Sequence, residues 1–455
     1  MDALSFVIIG AGPTGIAAAE EAARFGMKVT LVNGDSTGGR ATWSSLLPSK
    51  VHLTAADTLH SLRNSEELGI ESMDLRVNLK GILSRIGERS EAWSTTLIDK
   101  LQTAGVQVVT GKASFQDYKS ILVESQEGDA ETISFDRALI ATGSVPVFFP
   151  DLKPDGKRIL APKLVKMLDS WPESITVIGG GVTGSEFVYL FNSMGSKVTW
   201  VTDLSVLLPH ADMEISEALE AEFEKRGVDI FKESPVEKAQ AAENGVRVTL
   251  QSGQILEASY GFIAIGRRAD LDSLNLDAVG VSHDRSGVVV DEHGQTSITS
   301  IYAAGDAAGP PYLANRGLAQ ARVAVRAALG IEHEPYHSEW IVEAIYTEPQ
   351  IAQVGLRESE AAEANILYEV IRTEYRDNLK AQLGSTQCGI LKILVSQEKG
   401  IILGGSAIGT GAAEMLASVA VAIRAGLTVD QFADIFPAHP TLSELPFQLA
   451  RTLSV

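Results

Sequence analysis

Hydrophobic runs interrupted by glycine mark the same arrangement twice along the chain. Residues 7–35 read VIIGAGPTGIAAAEEAARFGMKVTLVNGD and residues 176–203 read TVIGGGVTGSEFVYLFNSMGSKVTWVTD, so a shift of 169 residues aligns the two segments. Each segment begins with an apolar run, passes through G-x-G-x-x-G into a helical pattern, stops at a glycine and ends in a second apolar run. This order predicts two β-α-β units of the dinucleotide-binding type.

The glycines of each unit are candidate phosphate-binding residues. The first glycine permits a tight turn, the second lets the backbone approach a pyrophosphate, and the third lets helix and sheet pack closely. The helix N-terminus then presents the positive end of its dipole to the phosphates. We expect cofactor contacts from Gly10, Gly12, Pro13, Thr14 and Gly15 in the first unit, and from Gly179, Gly181, Val182, Thr183 and Gly184 in the second.

The position that contacts the ribose is usually acidic in such units. Eighteen residues after the last glycine, this chain has Asn33 in the first copy and Thr202 in the second. Asn33 is still able to hydrogen-bond a ribose hydroxyl, whereas Asp35 and Asp203 are either ribose ligands or ordinary loop residues. No Lys or Arg occurs over residues 198–224. A 2′-phosphate would therefore lack a local cation, which favours NAD over NADP while leaving NADP possible.

Other apolar runs predict the rest of the framework. Three are each predicted to be a buried strand that ends in a glycine turn: DRALIATGS (136–144), YGFIAIGRR (260–268) and TSITSIYAAGDAAG (296–309). A helical pattern follows over about Leu313–Leu329, and residues 54–104 are predicted to be mostly helical. Farther along, residues 389–395 and 400–409 predict antiparallel strands, and Ala412–Ala425 predicts a helix.

Length and charge narrow the function classes. A chain of 455 residues predicts roughly three domains. Its 38 basic and 58 acidic residues give a net charge of −20, which disfavours nucleic acid and anionic membranes as partners. The uncharged run Leu4–Ala19 is too short and too broken by glycine to span a bilayer, and no basic segment precedes it. We therefore expect a cytoplasmic protein without integral membrane association.

A single cysteine, Cys388, excludes an intrachain disulfide, a CxxC redox pair and a cysteine-based zinc site. The eight histidines form no ligand-spaced pair with a carboxylate on one helix face, so no metal is expected.

The motifs together resemble those of the pyridine nucleotide–disulfide oxidoreductases, the flavoproteins of the dihydrolipoamide dehydrogenase, glutathione reductase and mercuric reductase type. The matching segments, in order, are VIIGAGPTG, the GG…PSK segment after the first unit, ATGS, VIGGGVTGSE, IGRR, IYAAGD and AHPTLSE. The resemblance implies an α/β fold with two Rossmann-like dinucleotide-binding domains, for FAD and NAD(P), and a C-terminal α+β dimerisation domain. The implied boundaries are 1–147 for the first part of the FAD domain, 148–267 for the NAD(P) domain, 268–332 for the second FAD part and 333–455 for the dimerisation domain.

The same resemblance implies further cofactor contacts from Gly38, Gly39, Ala141, Thr142, Gly143, Gly266, Arg267, Gly305 and Asp306. Asp306 matches the family aspartate that binds the ribityl–phosphate region of the flavin. The lysine of PSK, Lys50, and the glutamate after the second glycine motif, Glu186, match an ion pair beside flavin N5. His439 and Glu444 match the acid/base histidine and its orienting carboxylate, which reach the flavin of the partner subunit and so imply a homodimer.

Two positions depart from the family pattern. The family has G-G-x-C-x-x-x-x-C-x-P-S-K, whereas this chain reads GGRATWSSLLPSK over residues 38–50, with Ala41 and Leu46 at the two cysteine positions. Thiol–disulfide exchange then has no nucleophile and no relay. Trp43, between the two positions, either covers the flavin or is a plain core tryptophan.

The resemblance and its two departures together predict an FAD-dependent NAD(P)H dehydrogenase that reduces a small non-thiol acceptor, with a quinone as the leading candidate, which His439 would protonate. Two alternatives stay open at this point: a pyridine nucleotide transhydrogenase, and a catalytically silent FAD-binding dimer.

Overall fold

A computed structural model describes residues 3–71, 75–384 and 388–454. The chain divides into two compact units, each assembled from three separate stretches. The first unit comprises Met1–Ser49, Leu83–Val147 and Gly266–Tyr336; the second comprises Lys50–Ile82, Phe148–Ile265 and His337–Val455. The four-part domain division expected from the sequence stays a prediction.

The first unit is built on a five-stranded parallel sheet. Its strands, in spatial order, are Ile301–Ala303, Arg137–Ile140, Ser5–Ile9, Lys28–Asn33 and Gln107–Thr110. Alternate side chains of the strand Ser5–Ile9 enter different cores, because successive residues of a strand point to opposite faces. Phe6 and Ile8 pack with the helices Pro13–Arg24 and Ala314–Ala328. Val7 and Ile9 pack on the other face.

That other face is covered by a small antiparallel sheet. Its strands are Lys112–Asp117, Ser120–Glu124 and Ala130–Ser134. A two-stranded ribbon pairs Ser144–Pro146 with Arg267–Ala269. Burial on both faces explains why the central strands are apolar throughout rather than alternating.

The second unit contains another five-stranded parallel sheet. The order of its strands is Asp229–Phe231, Lys197–Val201, Ser174–Ile178, Tyr260–Ile263 and Ile159–Leu160. The helix Val182–Ser193 follows the strand Ser174–Ile178, and the helix Met213–Lys225 follows the strand Lys197–Val201. An antiparallel sheet follows, with strands Val236–Ala242, Gly245–Leu250 and Ile255–Ala258.

The C-terminal part of the second unit has a five-stranded antiparallel sheet. The strand order is Glu343–Ile345, Ile351–Gly355, Ile402–Ile408, Ile390–Ser396 and Tyr368–Glu374. The helix Ala412–Ala425 packs on this sheet through Met415, Leu416 and Val419, so helix and sheet share one apolar core.

The remaining α-helices connect or follow these strands along the chain. They are Gly39–Trp43, Leu46–Arg63, Leu79–Thr103, Leu276–Val279, Glu358–Glu363, Leu379–Leu383, Val429–Ala433 and Leu445–Arg451. The two predicted β-α-β units, the predicted strands and the predicted helix at Ala412–Ala425 are confirmed. The stretch 54–104 is mostly helical as predicted, although residues 72–74 lie outside the described residues.

Direct backbone contact fixes the start of both nucleotide helices. A Cβ atom on Gly15 would lie 1.8 Å from the carbonyl oxygen of Gly10, and one on Gly184 would lie 2.0 Å from that of Gly179. At Gly12, in contrast, an added Cβ would meet no atom within 4 Å among the described residues. The third glycine of the motif therefore serves the fold, whereas the second leaves open space.

We expect Gly15→Ala and Gly12→Ala to separate these two roles. Gly15→Ala has to push the helix away from the strand and should lower the free energy of unfolding by several kcal/mol. The free energy of unfolding of Gly12→Ala should lie within about 0.5 kcal/mol of that of the parent when the cofactor is removed from both, because the added methyl group contacts neither the helix start nor the strand. Thermal unfolding of the cofactor-free proteins measures this, and equal melting temperatures for the two variants would contradict it.

A buried histidine gives the second unit a pH-dependent stability. His52 lies on the helix Leu46–Arg63 and is 2% exposed. Its ring makes an edge contact with Trp171 at a centroid distance of 5.8 Å, and Trp171 in turn contacts Phe191. Burial in these apolar surroundings lowers the pKa of His52 from 6.5 to about 4, so the imidazole is neutral at neutral pH.

Because the unfolded chain binds a proton to this histidine at a higher pH than the folded one does, stability is lost as the pH falls from about 6.5 towards 4. We expect His52→Leu to remove roughly 2–3 kcal/mol of that loss between pH 7.5 and pH 4.5, since each pKa unit corresponds to about 1.4 kcal/mol. Urea unfolding at several pH values gives the two profiles. His210→Leu, at an exposed position, is the control; parallel profiles for His52→Leu and the parent would contradict a neutral buried imidazole.

Candidate functional site

The first glycine motif forms a cradle of backbone at the start of the helix Pro13–Arg24. Gly12 precedes the helix with extended backbone and no side chain caps the helix end, while Pro13 supplies no N–H at the first position. The turn at Gly38 and Gly39 closes against this point: Gly38 donates its N–H to the Ala11 carbonyl at 2.9 Å. A Cβ on Gly39 would lie 3.0 Å from Gly12 Cα. The space over Gly12 suits a pyrophosphate.

Thr14 has a packing role in this cradle. A Cβ on Gly305 or on Gly317 would lie within 2.4 Å of the Thr14 hydroxyl oxygen, so the side chain of Thr14 fills the gap between the two. The N–H of Gly305 donates to Gln320 Oε1 at 2.9 Å. The backbone after the strand Ile301–Ala303 therefore lies against Thr14 of the helix Pro13–Arg24. The chain turns there, and Asp306 lies in that turn.

Asp306, Ser144 and Arg267 form one hydrogen-bonded group. The Ser144 hydroxyl donates to Asp306, and Arg267 donates from Nε to Ser144 Oγ at 2.8 Å and from Nη2 to Ser144 O at 2.9 Å. Burial lowers the pKa of Arg267, although the charge of Asp306 acts in the opposite direction. In the adjoining segment Ala141–Gly143, the buried hydroxyl of Thr142 has no hydrogen-bond partner within the described residues. An orphaned hydroxyl here fits a polar group of a bound FAD.

Arg40 is a member of this region that the sequence did not single out. It forms an ion pair with Asp270 and donates from Nη1 to Thr142 O at 3.1 Å. Arg40 stands at the position x of the family pattern G-G-x-C, where any residue is allowed, so no motif pointed to it. The one indication in the sequence was a cationic residue directly after two glycines in an acidic chain.

Asn33 and Trp43 both donate hydrogen bonds to Thr37, in the loop that follows the strand Lys28–Asn33. Asn33 donates from Nδ2 to Thr37 Oγ1 at 3.3 Å, and its Oδ1 accepts from the N–H of Asp35 at the same distance. Trp43 is half-buried and donates from Nε1 to Thr37 O at 3.0 Å, and Ser94 Oγ donates to that carbonyl as well. Asn33 is thus already hydrogen-bonded within its loop, and Trp43 has a structural hydrogen bond.

The second glycine motif repeats the cradle in the other unit. Gly181 precedes the helix Val182–Ser193 with extended backbone, and an added Cβ there would meet no described atom within 4 Å. A Cβ on Gly180 would lie 2.7 Å from Thr202 Oγ1. That oxygen accepts from the N–H of Leu204 at 3.2 Å, while Asp203 and Val182 are exposed. The uncapped helix start and the open space fit a nicotinamide dinucleotide, with Asp203 free to reach solvent or a ribose.

Lys50 and Glu186 meet as expected, and a third residue holds them. Lys50 Nζ lies 2.7 Å from Glu186 Oε1, with 31% and 9% of the side chains exposed. The same oxygen accepts the N–H of Tyr346 at 3.1 Å, and the Tyr346 ring centroid lies 4.3 Å from Lys50 Nζ. The ammonium group is therefore held between a carboxylate and an aromatic face, an arrangement that keeps a cation in one place. No sequence signal pointed to Tyr346.

His439 and Glu444 are also brought together. His439 Nδ1 lies 2.9 Å from Glu444 Oε1 and 3.2 Å from Oε2. Because a carboxylate only accepts, Nδ1 carries the hydrogen and Nε2 is the free nitrogen of the neutral ring. Partial burial acts to raise the pKa of Glu444, but the N–H of Thr441 and the nearby His439 lower it more, so the pKa lies below its ordinary value. The histidine side chain is 62% exposed.

The positions of the missing thiols carry only apolar side chains. Ala41 is half-buried in the short helix Gly39–Trp43, and Leu46 is 44% exposed. Cys388 is exposed, two residues before the strand Ile390–Ser396.

Neither a metal-ligand cluster nor a membrane-spanning helix occurs among the described residues. No group of three or more His, Cys, Asp or Glu side chains there is arranged to hold a metal ion. Among the helices described, none is both long enough and apolar enough to cross a bilayer.

Comparison with known proteins gives concordant matches over nearly the whole chain. Residues 4–328 match the sequence pattern of the pyridine nucleotide-disulphide oxidoreductases, and residues 341–450 match their dimerisation domain, which supports a homodimer. A dihydrolipoyl dehydrogenase from Chlorobaculum parvum is 34% identical over 441 residues, 96% of this chain and 94% of the relative. An NAD(P)H dehydrogenase (quinone) from Mycobacterium tuberculosis is 31% identical over 459 residues, 98% of this chain and 93% of the relative.

A solved structure agrees with these matches. The crystal structure of LpdA from Mycobacterium tuberculosis superposes with a TM-score of 0.95 at 30% identity, covering 99% of this chain and all of that one. The expected α/β fold, with two Rossmann-like domains and a C-terminal dimerisation domain, and the expected cofactors FAD and NAD(P) are thereby confirmed. The chain belongs to the pyridine nucleotide-disulfide oxidoreductases, and it is a flavin-dependent NAD(P)H oxidoreductase.

Proposed function

We propose that this chain oxidises NAD(P)H with FAD and reduces a small non-thiol acceptor, a quinone, without a redox disulfide. The observation that carries the proposal is that the ion pair expected beside the flavin is formed, whereas the two cysteines of the family pattern are replaced. Lys50 and Glu186 form an ion pair, while Ala41 and Leu46 stand at the family's cysteine positions. A disulfide relay needs two thiols, and Cys388 is the only cysteine of the chain.

FAD, when bound, supplies the two-electron chemistry that connects the nicotinamide nucleotide to the acceptor. The glycine cradles at Gly12 and Gly181 would hold the two nucleotides, with Asp306 and Thr142 as polar contacts to FAD. Cradles made of backbone N–H groups at helix starts let a chain of net charge −20 bind anionic cofactors.

Lys50 supplies a fixed positive charge in this scheme. Glu186 is itself held by the N–H of Tyr346, and the Tyr346 ring lies against the ammonium group. A cation that is already in position stabilises developing negative charge without reorganising during the reaction. The family resemblance assigns this pair to the reacting end of the flavin.

His439 supplies a proton carrier. Reduction of a quinone to a hydroquinone takes up two electrons and two protons, so the acceptor needs a proton donor. With Nδ1–H directed to Glu444, the Nε2 of His439 is the atom that gains and releases the proton. The dimerisation domain supports placing this residue at the partner subunit's site.

The curated relatives alone do not decide the acceptor. The quinone dehydrogenase and the dihydrolipoyl dehydrogenase are similar to this chain at 31% and 34% identity, respectively. The residues at the family's cysteine positions favour the quinone, because Leu46 and Ala41 offer an apolar surface to a planar molecule and no nucleophile to a disulfide. NADH is the preferred donor, since residues 198–224 contain no Lys or Arg for a 2′-phosphate. A cytoplasmic location stays a prediction of the sequence.

We expect the FAD-loaded protein to reduce menadione with NADH well above the rate of free FAD, and to leave lipoamide unreduced. Iodoacetamide added after NADH should not change the quinone rate, because reduction exposes no thiol pair. Cys388→Ser should behave as the parent with and without the reagent. Anaerobic absorbance of the flavin, followed by mixing with menadione, NADP or oxygen, separates the possible acceptors.

Other outcomes are equally informative. Faster reoxidation by NADP than by menadione favours the transhydrogenase, and a flavin that NADH does not bleach indicates a silent binding dimer. Either result, or turnover no greater than that of free FAD, overturns the quinone reductase.

We expect Lys50→Met to slow anaerobic bleaching of the flavin by NADH about 100-fold, the size of effect seen when a preorganised charge-stabilising group is removed. The variant should also lose about 1–3 kcal/mol of stability, because Glu186 is left buried without its partner. Lys50→Met/Glu186→Gln should recover the stability but not the rate. Stopped-flow reduction and urea unfolding measure both effects.

Lys153→Met, at an exposed position of the same unit, is the matched control and should bleach at the parent rate. Bleaching of Lys50→Met within twofold of the parent would remove the proposed role of the cation.

A further inference from the structure

Three polar contacts, all between residues of the second unit, link two helices. One is Leu46–Arg63, the other Val182–Ser193. Lys50 meets Glu186 at 2.7 Å, the hydroxyl of Tyr189 donates to Asp57 Oδ1 at 2.7 Å, and Arg63 donates from Nη1 to the Ser193 carbonyl at 2.6 Å. The links follow the same order along both helices, so the helices run in the same direction and end together.

A cavity of about 270 Å³ lies where the two helices end. It is lined by His60, Arg63, Asn192, Ser193 and Arg226. Arg226 directly follows the helix Met213–Lys225, and its carbonyl accepts from Asn192 Nδ2 at 3.2 Å. The C-terminal ends of three helices, Leu46–Arg63, Val182–Ser193 and Met213–Lys225, therefore meet at this cavity.

The lining is basic in a chain that is strongly acidic. Two arginines and a histidine face the cavity, and no carboxylate is among the lining residues described. The nearest acids are already engaged: Glu222 accepts from Arg226 Nε at 2.8 Å, and Asp57 accepts from Tyr189. Partial burial, followed by the charges of Arg226 and Arg63, lowers the pKa of His60, while Glu222 acts to raise it.

The hydrogen bonds described for Arg63 and Arg226 use only part of the donors of the two guanidinium groups. A guanidinium group carries five N–H donors in a fixed fork. Arg63 uses Nη1 on Ser193 and Arg226 uses Nε on Glu222. A guanidinium fork matches the geometry of a phosphate or carboxylate, and two forks lining one cavity suit such an anion through charge-assisted hydrogen bonds.

We propose that this cavity binds a small oxyanion, namely a phosphate group. Its volume of about 270 Å³ is below the range of about 300–1,000 Å³ typical of drug-sized ligands. The site therefore fits inorganic phosphate or a small phosphate ester and not a dinucleotide.

The position of the cavity couples an occupant to the charged pair. A phosphate bound to the other N–H groups of Arg63 shares this guanidinium with the Ser193 carbonyl and so alters the link between the two helix ends. Those helices carry Lys50 and Glu186 toward their other ends. Occupancy therefore alters the rate of NADH oxidation, a consequence that rests on the proposed function, whereas binding itself does not.

The test begins with binding of inorganic phosphate to the FAD-loaded protein by isothermal titration calorimetry, at constant ionic strength with chloride as the balancing anion. We expect one saturable site per chain, weakened at least tenfold in Arg226→Gln and in Arg63→Gln. Lys225→Gln removes the same charge next to Arg226, from a side chain that is 74% exposed and 3.9 Å from Glu222. This control should bind phosphate within twofold of the parent. Glycerol 3-phosphate in a parallel titration distinguishes an ester from the free ion.

A second readout needs no arginine variant. The proton resonances of His60, assigned with His60→Gln, should titrate at a higher pH when phosphate is present, because the bound anion favours the imidazolium ion. Arg63→Gln loosens a helix end, so the melting temperature of each variant is measured alongside. Absence of saturable binding, equal binding in Arg226→Gln and Lys225→Gln, or an unmoved His60 titration overturns the site.

The kinetic consequence is measured separately, as the menadione reductase rate with and without saturating phosphate. Binding with an unchanged rate overturns the coupling and leaves the site standing. Binding by a protein that reduces no acceptor contradicts the proposed function alone.

Discussion

Contact between the first turn of the helix and the backbone turn before it, at each of the two glycine motifs, is the constraint on which the rest of this structure depends. Any side chain at Gly15 or Gly184 would overlap a carbonyl oxygen of the preceding turn. With those contacts, each nucleotide helix begins directly at the end of its strand, and its free N–H groups converge on one space. In a chain of net charge −20, this is the means by which we propose that anionic cofactors are bound without a cluster of lysines.

The framework was predictable from the sequence because it depends on local signals. Apolar runs of four to six residues ended by glycine specify the strands, and a shift of 169 residues reveals the second unit from the first. The helix Ala412–Ala425 has the bounds that its pattern predicted. In each case the residues that decide the element are neighbours in the sequence.

Much of the site was not predictable, since its contacts join distant residues through groups that no motif records. Tyr346 reaches Glu186 across 160 positions with a backbone N–H, which every residue but proline possesses. Arg40 meets Asp270 across 230 positions. Asn33 shows the opposite case: its residue type suggested a ribose contact, but its side chain is hydrogen-bonded to Thr37 and Asp35 within its own loop.

This chain lacks the two family cysteines, at Ala41 and Leu46, but has the ion pair of Lys50 and Glu186. A solvent-exposed ion pair would add little to stability, because water competes for both charges. Here Glu186 is nearly buried and receives two donors, so the pair imposes a cost of desolvation that the surrounding contacts must offset. An arrangement of that kind is expected where a fixed charge is used. The helix Leu46–Arg63 carries both Lys50, the cation proposed to serve the reaction, and Arg63, one of the two arginines proposed to bind a phosphate.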